Sequence, residues 1–148
     1  KKRKYAKQHQ HLGIDVPLKV GTPIIAPASG RIRFVRTGSR SAGNYIELLH
    51  DTGDGFRLYR FMHLEKFMVE RGEDVRKGQI IALSGNTGIS TGPHLHYEIK
   101  VDVNSRGRGG RHIDPMSIYG TNKIDLAEWK NEELNKLLLE KFNLGVIK

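Results

Sequence analysis

Three short segments carry side chains that could do chemistry: HLGID at 11–15, FMHLE at 61–65 and PHLH at 93–96. In PHLH the two histidines stand two residues apart. In an extended chain alternate side chains share a face, so His94 and His96 point into one space. Two neutral imidazoles beside a proline make poor core filling, because each needs hydrogen-bond partners. HLGID separates His11 from Asp15 by four residues, an even spacing that also keeps one face of a strand. Gly13 and the following VPLKVGTP argue against a helix there. A histidine and an aspartate facing one point offer the nitrogen and oxygen donors that suit zinc. His63, at the end of a strand-like run, reads by itself as an ordinary half-buried histidine.

Taken together the segments supply His11, Asp15, His63, His94 and His96 as metal-binding or proton-transfer groups. A hydrolytic zinc centre needs three protein ligands and an open position for water, whose pKa falls towards roughly 7. It also needs a base near that water and a donor to the developing oxyanion. His11, Asp15 and one histidine of PHLH would complete the ligands, leaving His63 and the other PHLH histidine for proton transfer and charge stabilisation. Spacing does not choose between His94 and His96.

The elements that must position these groups read as strands and tight turns. PIIA (23–26), RIRFVR (31–36), NYIELLHD (44–51), FRLYRFMH (56–63), QIIALS (79–84) and HLHYEIKV (94–101) have the β-branched and aromatic content of strands. Glycines punctuate them at spacings that predict a compact antiparallel sheet system. NSRGRGGR (104–111) is too rich in glycine and arginine to pack, which predicts a surface loop. Asp125 to Glu128 has the form of a capping box opening a helix to about Phe142. The expected organisation is a basic arm at 1–10, one mainly β domain at 11–119 and a helical extension at 120–148.

Composition narrows the function classes. The 148 residues suffice for one compact domain with an appendage, and no run approaches the roughly 20 apolar residues of a membrane span. Without cysteine there can be no disulfide or thiolate metal site, so a metal must be held by histidine and carboxylate. The net charge of +9 lies wholly in residues 1–120, because acidic and basic residues balance in 121–148. Such an excess serves solubility, and it also suits an anionic partner such as nucleic acid, lipid headgroups or cell-wall polymer. No aromatic-rich binding motif or recognition helix accompanies the charge, so no nucleic-acid partner is expected.

HLGID, the following PLKVGTPIIAPASGRI, FMHL, VRKGQIIALSGNTGISTGPHLHYEI and the closing IDPMSIY together resemble the LytM and lysostaphin type of zinc metallopeptidase, over about residues 11–119. The resemblance implies a small antiparallel β-sandwich or barrel-like fold with a groove, and a zinc endopeptidase that cuts peptide bonds in bacterial peptidoglycan. It implies one Zn2+ per chain, held by His11, Asp15 and His96. His63 and His94 become the catalytic pair, one as general base towards the attacking water and one stabilising the oxyanion. His9, His50 and His112 match no motif position. The implied location is outside the cytoplasm, secreted, periplasmic or wall-associated, or on a virion if the chain is phage-encoded. Attachment to a larger protein or assembly is consistent with this.

Three features depart from the family. Phe61 stands where a tyrosine is usual, keeping an aromatic wall without its hydroxyl. Only ten residues precede His11, which points to a longer parent, and the arginine-rich stretch and helical tail are additions. Two rival readings compete with this one. A catalytically inactive member acting as scaffold or activator would typically lack ligands, yet every motif position is filled. VRKGQIIALSG also resembles the hammerhead strands of biotinyl and lipoyl carriers, but the modifiable lysine at a hairpin tip, flanked by Met or Ala, is missing.

Overall fold

A computed structural model describes residues 13–118. Among them the strands are β1 (Ile14–Pro17), β2 (Pro23–Ile25), β3 (Gly30–Ser39), β4 (Gly43–Asp51), β5 (Phe56–Phe67), β6 (Asp74–Val75), β7 (Ile80–Ser84), β8 (His94–Val103) and β9 (Gly109–Ile113), followed by one helical turn, α1 (Pro115–Ile118). Every strand pairing is antiparallel. The main path runs β1-β8-β5-β4-β3-β6, with β9 on β8, and with β7 joining β5 to β2. The mainly β, antiparallel fold with a groove is therefore the one the sequence implied. The helix expected from Asp125 lies outside the described residues, as do the basic arm and His11.

The six strands read from the sequence are all present, and their alternation is that of a sheet with one buried face. In β8, Leu95, Tyr97 and Ile99 are fully buried, and in β4 so are Ile46 and Leu48. They join Ile14 and Val16 of β1, Ile24 of β2, Ile32 of β3, Phe61 and Leu64 of β5 and Ile81 of β7 in one core. Tyr97 stacks within it between Phe61 and Tyr59, at centroid distances of 5.1 and 6.3 Å.

The length of β5 organises the fold. Its first part pairs with β8 from Phe56 to Met62, and its last part pairs with β7 from Leu64 to Phe67. The strand thus leaves one part of the sheet and enters another at Met62–His63, a corner of the kind that bulges make. Among the described residues no helix is long and apolar enough to cross a membrane.

Two expectations are corrected. The stretch 104–111 is not all loop: Gly109 to Arg111 belong to β9, which pairs with β8 through Val103↔Gly109 and Val101↔Arg111. An edge strand needs only backbone bonds, so its exposed side chains were no obstacle. The glycines serve the pairing, since a Cβ on Gly110 would lie 2.2 Å from the Val101 carbonyl oxygen. Asn104 closes the connection by accepting from the backbone N–H groups of Arg106 and Arg108. Nor is Phe61 a groove wall: it is wholly buried against Tyr97, and its neighbour Met62 faces the groove instead.

Candidate active site

A groove of about 730 Å³ opens over β1, the start of β8 and the middle of β5, lined by Asp15, Met62, His63, His94 and His96 and also by Tyr45 and Arg60. All the described candidate residues thus meet in one place; only His11 lies outside the described residues.

The β1–β8 pairing delivers the first group. Asp15 sits directly opposite His96, and Pro17 opposite His94, so their side chains project to the same face. Close approach of the two strands depends on Gly13, where a Cβ would lie 2.0 Å from the Tyr97 carbonyl oxygen. Asp15 Oδ1 lies 2.8 Å from His96 Nδ1 and 3.5 Å from His94 Nε2.

His63 arrives by another route. Between the pairs Ile46↔Phe61 and Asn44↔Leu64, two residues of β5 face Tyr45 alone of β4. This bulge puts Met62 and His63 both on the groove side while Phe61 and Leu64 both stay in the core. Its cost is visible in the backbone, because His63 holds φ at +65°, a left-handed conformation that few side chains adopt. A clasp secures it. The His63 N–H donates to the Ala42 carbonyl at 2.9 Å, and its ring lies 4.7 Å from that of His94. Thr87 donates its hydroxyl to Leu64 O and accepts from the Asn44 N–H. Asn44 in turn donates its side-chain amide to Leu64 O.

Hydrogen bonds to carbonyls, which can only accept, fix how His63 and His94 are presented. His63 Nδ1 donates to the Thr87 carbonyl at 2.6 Å, and His94 Nδ1 to the Gly92 carbonyl at 2.8 Å. In their neutral forms both therefore carry the proton on Nδ1 and keep a lone pair on Nε2. His96 differs, because both of its ring nitrogens face carboxylates: Nε2 lies 2.9 Å from Glu98 Oε2 and Nδ1 lies 2.8 Å from Asp15 Oδ1.

Electrostatics follow this division. Burial pushes the His63 pKa below its ordinary 6.5, outweighing the hydrogen bond to Thr87, and the neighbouring His94 and His96 push the same way. Burial also opposes charge on His96, but Asp15 and Glu98 overcome it and raise its pKa to about 9. Burial would raise the Glu98 carboxyl, yet His96, Arg60 and His112 hold it below the usual carboxylate range.

The raised His96 value bears on metal. A nitrogen lone pair and a carboxylate oxygen at 2.8 Å repel unless a positive charge lies between them, and a bound proton is one such charge. An imidazole and a carboxylate converging on one cation position also form a zinc-type donor pair, and Asp15 and His96 fit that role. Among the described residues no group of three His, Asp or Glu is arranged to hold a metal ion. The third donor named from the sequence, His11, falls outside them.

Reasoning from motifs passed over three contributors. Glu98, Arg60 and His112 pack behind His96, with His112 Nε2 3.1 Å from Glu98 Oε1. Glu98 had a legible signal, since it continues the two-residue period of His94 and His96. Arg60 and His112 had none, because only strand register brings them there. His50 lies elsewhere, bonded to the Ser29 carbonyl.

Comparison with known proteins is consistent throughout. Residues 9–115 match Peptidase family M23. The chain is 43% identical over 133 residues to the peptidoglycan DD-endopeptidase ShyA of Vibrio cholerae, covering 86% of this chain and 29% of that protein. Its fold matches the catalytic domain of lysostaphin from Staphylococcus simulans with a TM-score of 0.64 and 39% identity, over 73% of this chain and 77% of that one. It also matches a zinc-containing peptidase from Vibrio cholerae with a TM-score of 0.56 and 39% identity, over 60% of this chain and 26% of that one. The chain spans between 21% and 29% of the length of the first curated relatives it matches.

Proposed function

The chain belongs to peptidase family M23, and from that premise we propose that it is a zinc-dependent endopeptidase that hydrolyses peptide bonds in bacterial peptidoglycan. The observation that carries the proposal is the convergence of Asp15 Oδ1 and His96 Nδ1 at 2.8 Å, beside two histidines that keep Nε2 available for protons. ShyA and lysostaphin, a peptidoglycan endopeptidase and an antimicrobial peptidase by name, support the substrate class.

In this reading His11, Asp15 and His96 hold the metal. Bound zinc supplies Lewis-acid polarisation and an acidified water. The chain's own residues do the rest. Substrate lies in the groove that Tyr45, Met62 and the β8 histidines line. His63, neutral at neutral pH, accepts a proton at Nε2 from the attacking water. His94, with Nδ1 pinned to the Gly92 carbonyl, faces the reacting carbonyl with Nε2 and stabilises the oxyanion once protonated there. The groove's shared wall keeps the two rings 4.7 Å apart, close enough for both to serve one scissile bond.

A wall substrate places the protein outside the cytoplasm, or on a virion if phage-encoded. The net charge of +9 favours residence on anionic wall polymers, an attraction that salt screens. The test compares zinc content and peptidoglycan cleavage in wild type, His96→Ala and His94→Ala. His96→Ala should lose both metal and activity, and His94→Ala should keep metal and lose activity. Equal zinc in all three sinks the ligand assignment, and stoichiometric zinc without turnover in wild type favours a scaffold.

A further inference from the structure

A row of alternating charge crosses four strands and reaches the groove at Arg60 and Glu98. Arg33 of β3 donates to Glu47 of β4 at 2.5 Å, and Glu47 accepts from Arg60 of β5 at 2.5 and 2.7 Å. Arg60 reaches Glu98 of β8 at 3.4 Å. Register builds this row, since Arg60 is paired with Glu47 on one side and Glu98 on the other. Glu98 is 5% exposed, and its two oxygens are divided: Oε1 faces Arg60 and His112, and Oε2 faces His96.

We propose that Glu98 is a positioning residue for the metal ligand His96, holding its imidazole in the Nε2–H form so that Nδ1 is aimed at Asp15. This rests on the zinc reading given above. The physical reason is the one-sidedness of a carboxylate, which as an anion can only accept. Asp15 lies as close to Nδ1, at 2.8 Å, but a cation held between Asp15 and Nδ1 needs the Nδ1 lone pair, so the one proton of the neutral imidazole belongs on Nε2, where Glu98 at 2.9 Å accepts it. Arg60 at 3.4 Å and His112 at 3.1 Å engage Oε1 of this carboxylate, while Oε2 faces His96. Removing it frees His96 to change tautomer or to turn its ring, and either change spoils the donor pair.

The experiment measures zinc affinity by chelator competition, with folding followed by circular dichroism, for wild type, Glu98→Ala, Glu98→Gln and Glu47→Gln. Glu98→Ala should bind zinc about 10–100-fold more weakly. Glu98→Gln should recover part of that loss, because its amide oxygen still accepts from Nε2–H. Glu47→Gln should lower the melting temperature and leave zinc affinity unchanged, which separates positioning from support of the charge row. A folded Glu98→Ala protein with wild-type zinc affinity overturns the inference and leaves the zinc reading intact. Wild type that takes up no zinc overturns both. Should Glu98→Ala not fold, the imidazole tautomer read by 15N NMR on zinc-loaded wild type decides: Nε2–H at His96 supports the inference and Nδ1–H overturns it.

Discussion

The groove is supplied by two regions built on opposite principles. On the β1–β8 side, Asp15, His94 and His96 stand on regular strands in direct register. On the β5 side, His63 stands on a bulge with φ at +65°, held by a loop from elsewhere in the chain. Regular pairing suits groups that must converge rigidly on one ion, because each strand fixes the other's spacing. A bulge suits a group that must turn away from the core at a point where its strand is already leaving the sheet. In the proposed mechanism this separates metal holding from proton transfer, and each region rests on its own close contact.

The widest expected effect comes from breaking the regular side. Gly13→Ala places a Cβ 2.0 Å from the Tyr97 carbonyl, a backbone atom that cannot rotate away, so β1 must lift from β8 and carry Asp15 with it. Zinc retention and cleavage should both collapse, with cleavage falling by about 10²-fold or more. The readings are metal content after dialysis and the rate on purified peptidoglycan. Wild-type zinc affinity in the folded variant would mean that β1 does not carry a ligand.

On the irregular side the corresponding change is Gly88→Ala. Gly88 has φ at +78°, and a Cβ there would lie 2.3 Å from the Gly43 nitrogen and 2.7 Å from the Ser41 carbonyl oxygen. The clasp under Thr87 must move, and with it the carbonyl that orients His63. We expect zinc to stay bound while kcat falls by about 10²-fold and stability drops by roughly 1–3 kcal/mol. Loss of zinc here as well would show that the two regions cannot be separated.

The contrast also explains what could be read from the sequence. PHLH and HLGID announced their geometry because a strand's two-residue period is written in residue order, and even spacing survived intact into the register Asp15↔His96. His63 gave no such sign. In an unbroken strand its alternation with Met62 would send one of the two into the core, and only the bulge against Tyr45 puts both in the groove. Its place came from family resemblance, and the reason for that place came from the structure. The SGNTG segment was recognisable as a motif, yet its task of presenting the Thr87 carbonyl to His63 depends on a long-range contact. Arg60 and His112 were illegible for the same reason, since cross-strand register and not local pattern sets them behind His96. The error at 109–111 came from treating composition as a veto on pairing, which an edge strand does not obey.

A gentler change sharpens the comparison. Thr87→Val keeps the shape of the clasp and removes its hydroxyl, which bonds Leu64 O at 2.8 Å and the Asn44 N–H at 3.1 Å. The carbonyl that holds His63 is main chain and remains. Unfolding free energy should fall by about 1–3 kcal/mol for two such bonds, turnover should fall less than in Gly88→Ala, and zinc affinity should not change. A denaturant series and a single-turnover rate check these points. Turnover as low as in Gly88→Ala would make the hydroxyl, and not the glycine contact, the part that orients His63.

The smallest effect is one of pH, and it belongs to His63 alone. As a general base it must be unprotonated, and burial holds its pKa below 6.5. Raising the proton concentration therefore protonates His63 only below that value, so kcat/KM should stay within half of its neutral-pH level at pH 6.5 and fall below it. Of the neighbouring charges, only Asp15 raises the His63 value, and a cation held by Asp15 would offset that influence and move the acid limb lower still. The limb should thus be absent from the profile of His63→Ala and preserved in Glu47→Gln, whose carboxylate is not among the groups that shift His63. An acid limb centred above pH 6.5 in zinc-loaded wild type would assign the proton acceptor to another group and leave His63 as a wall of the groove.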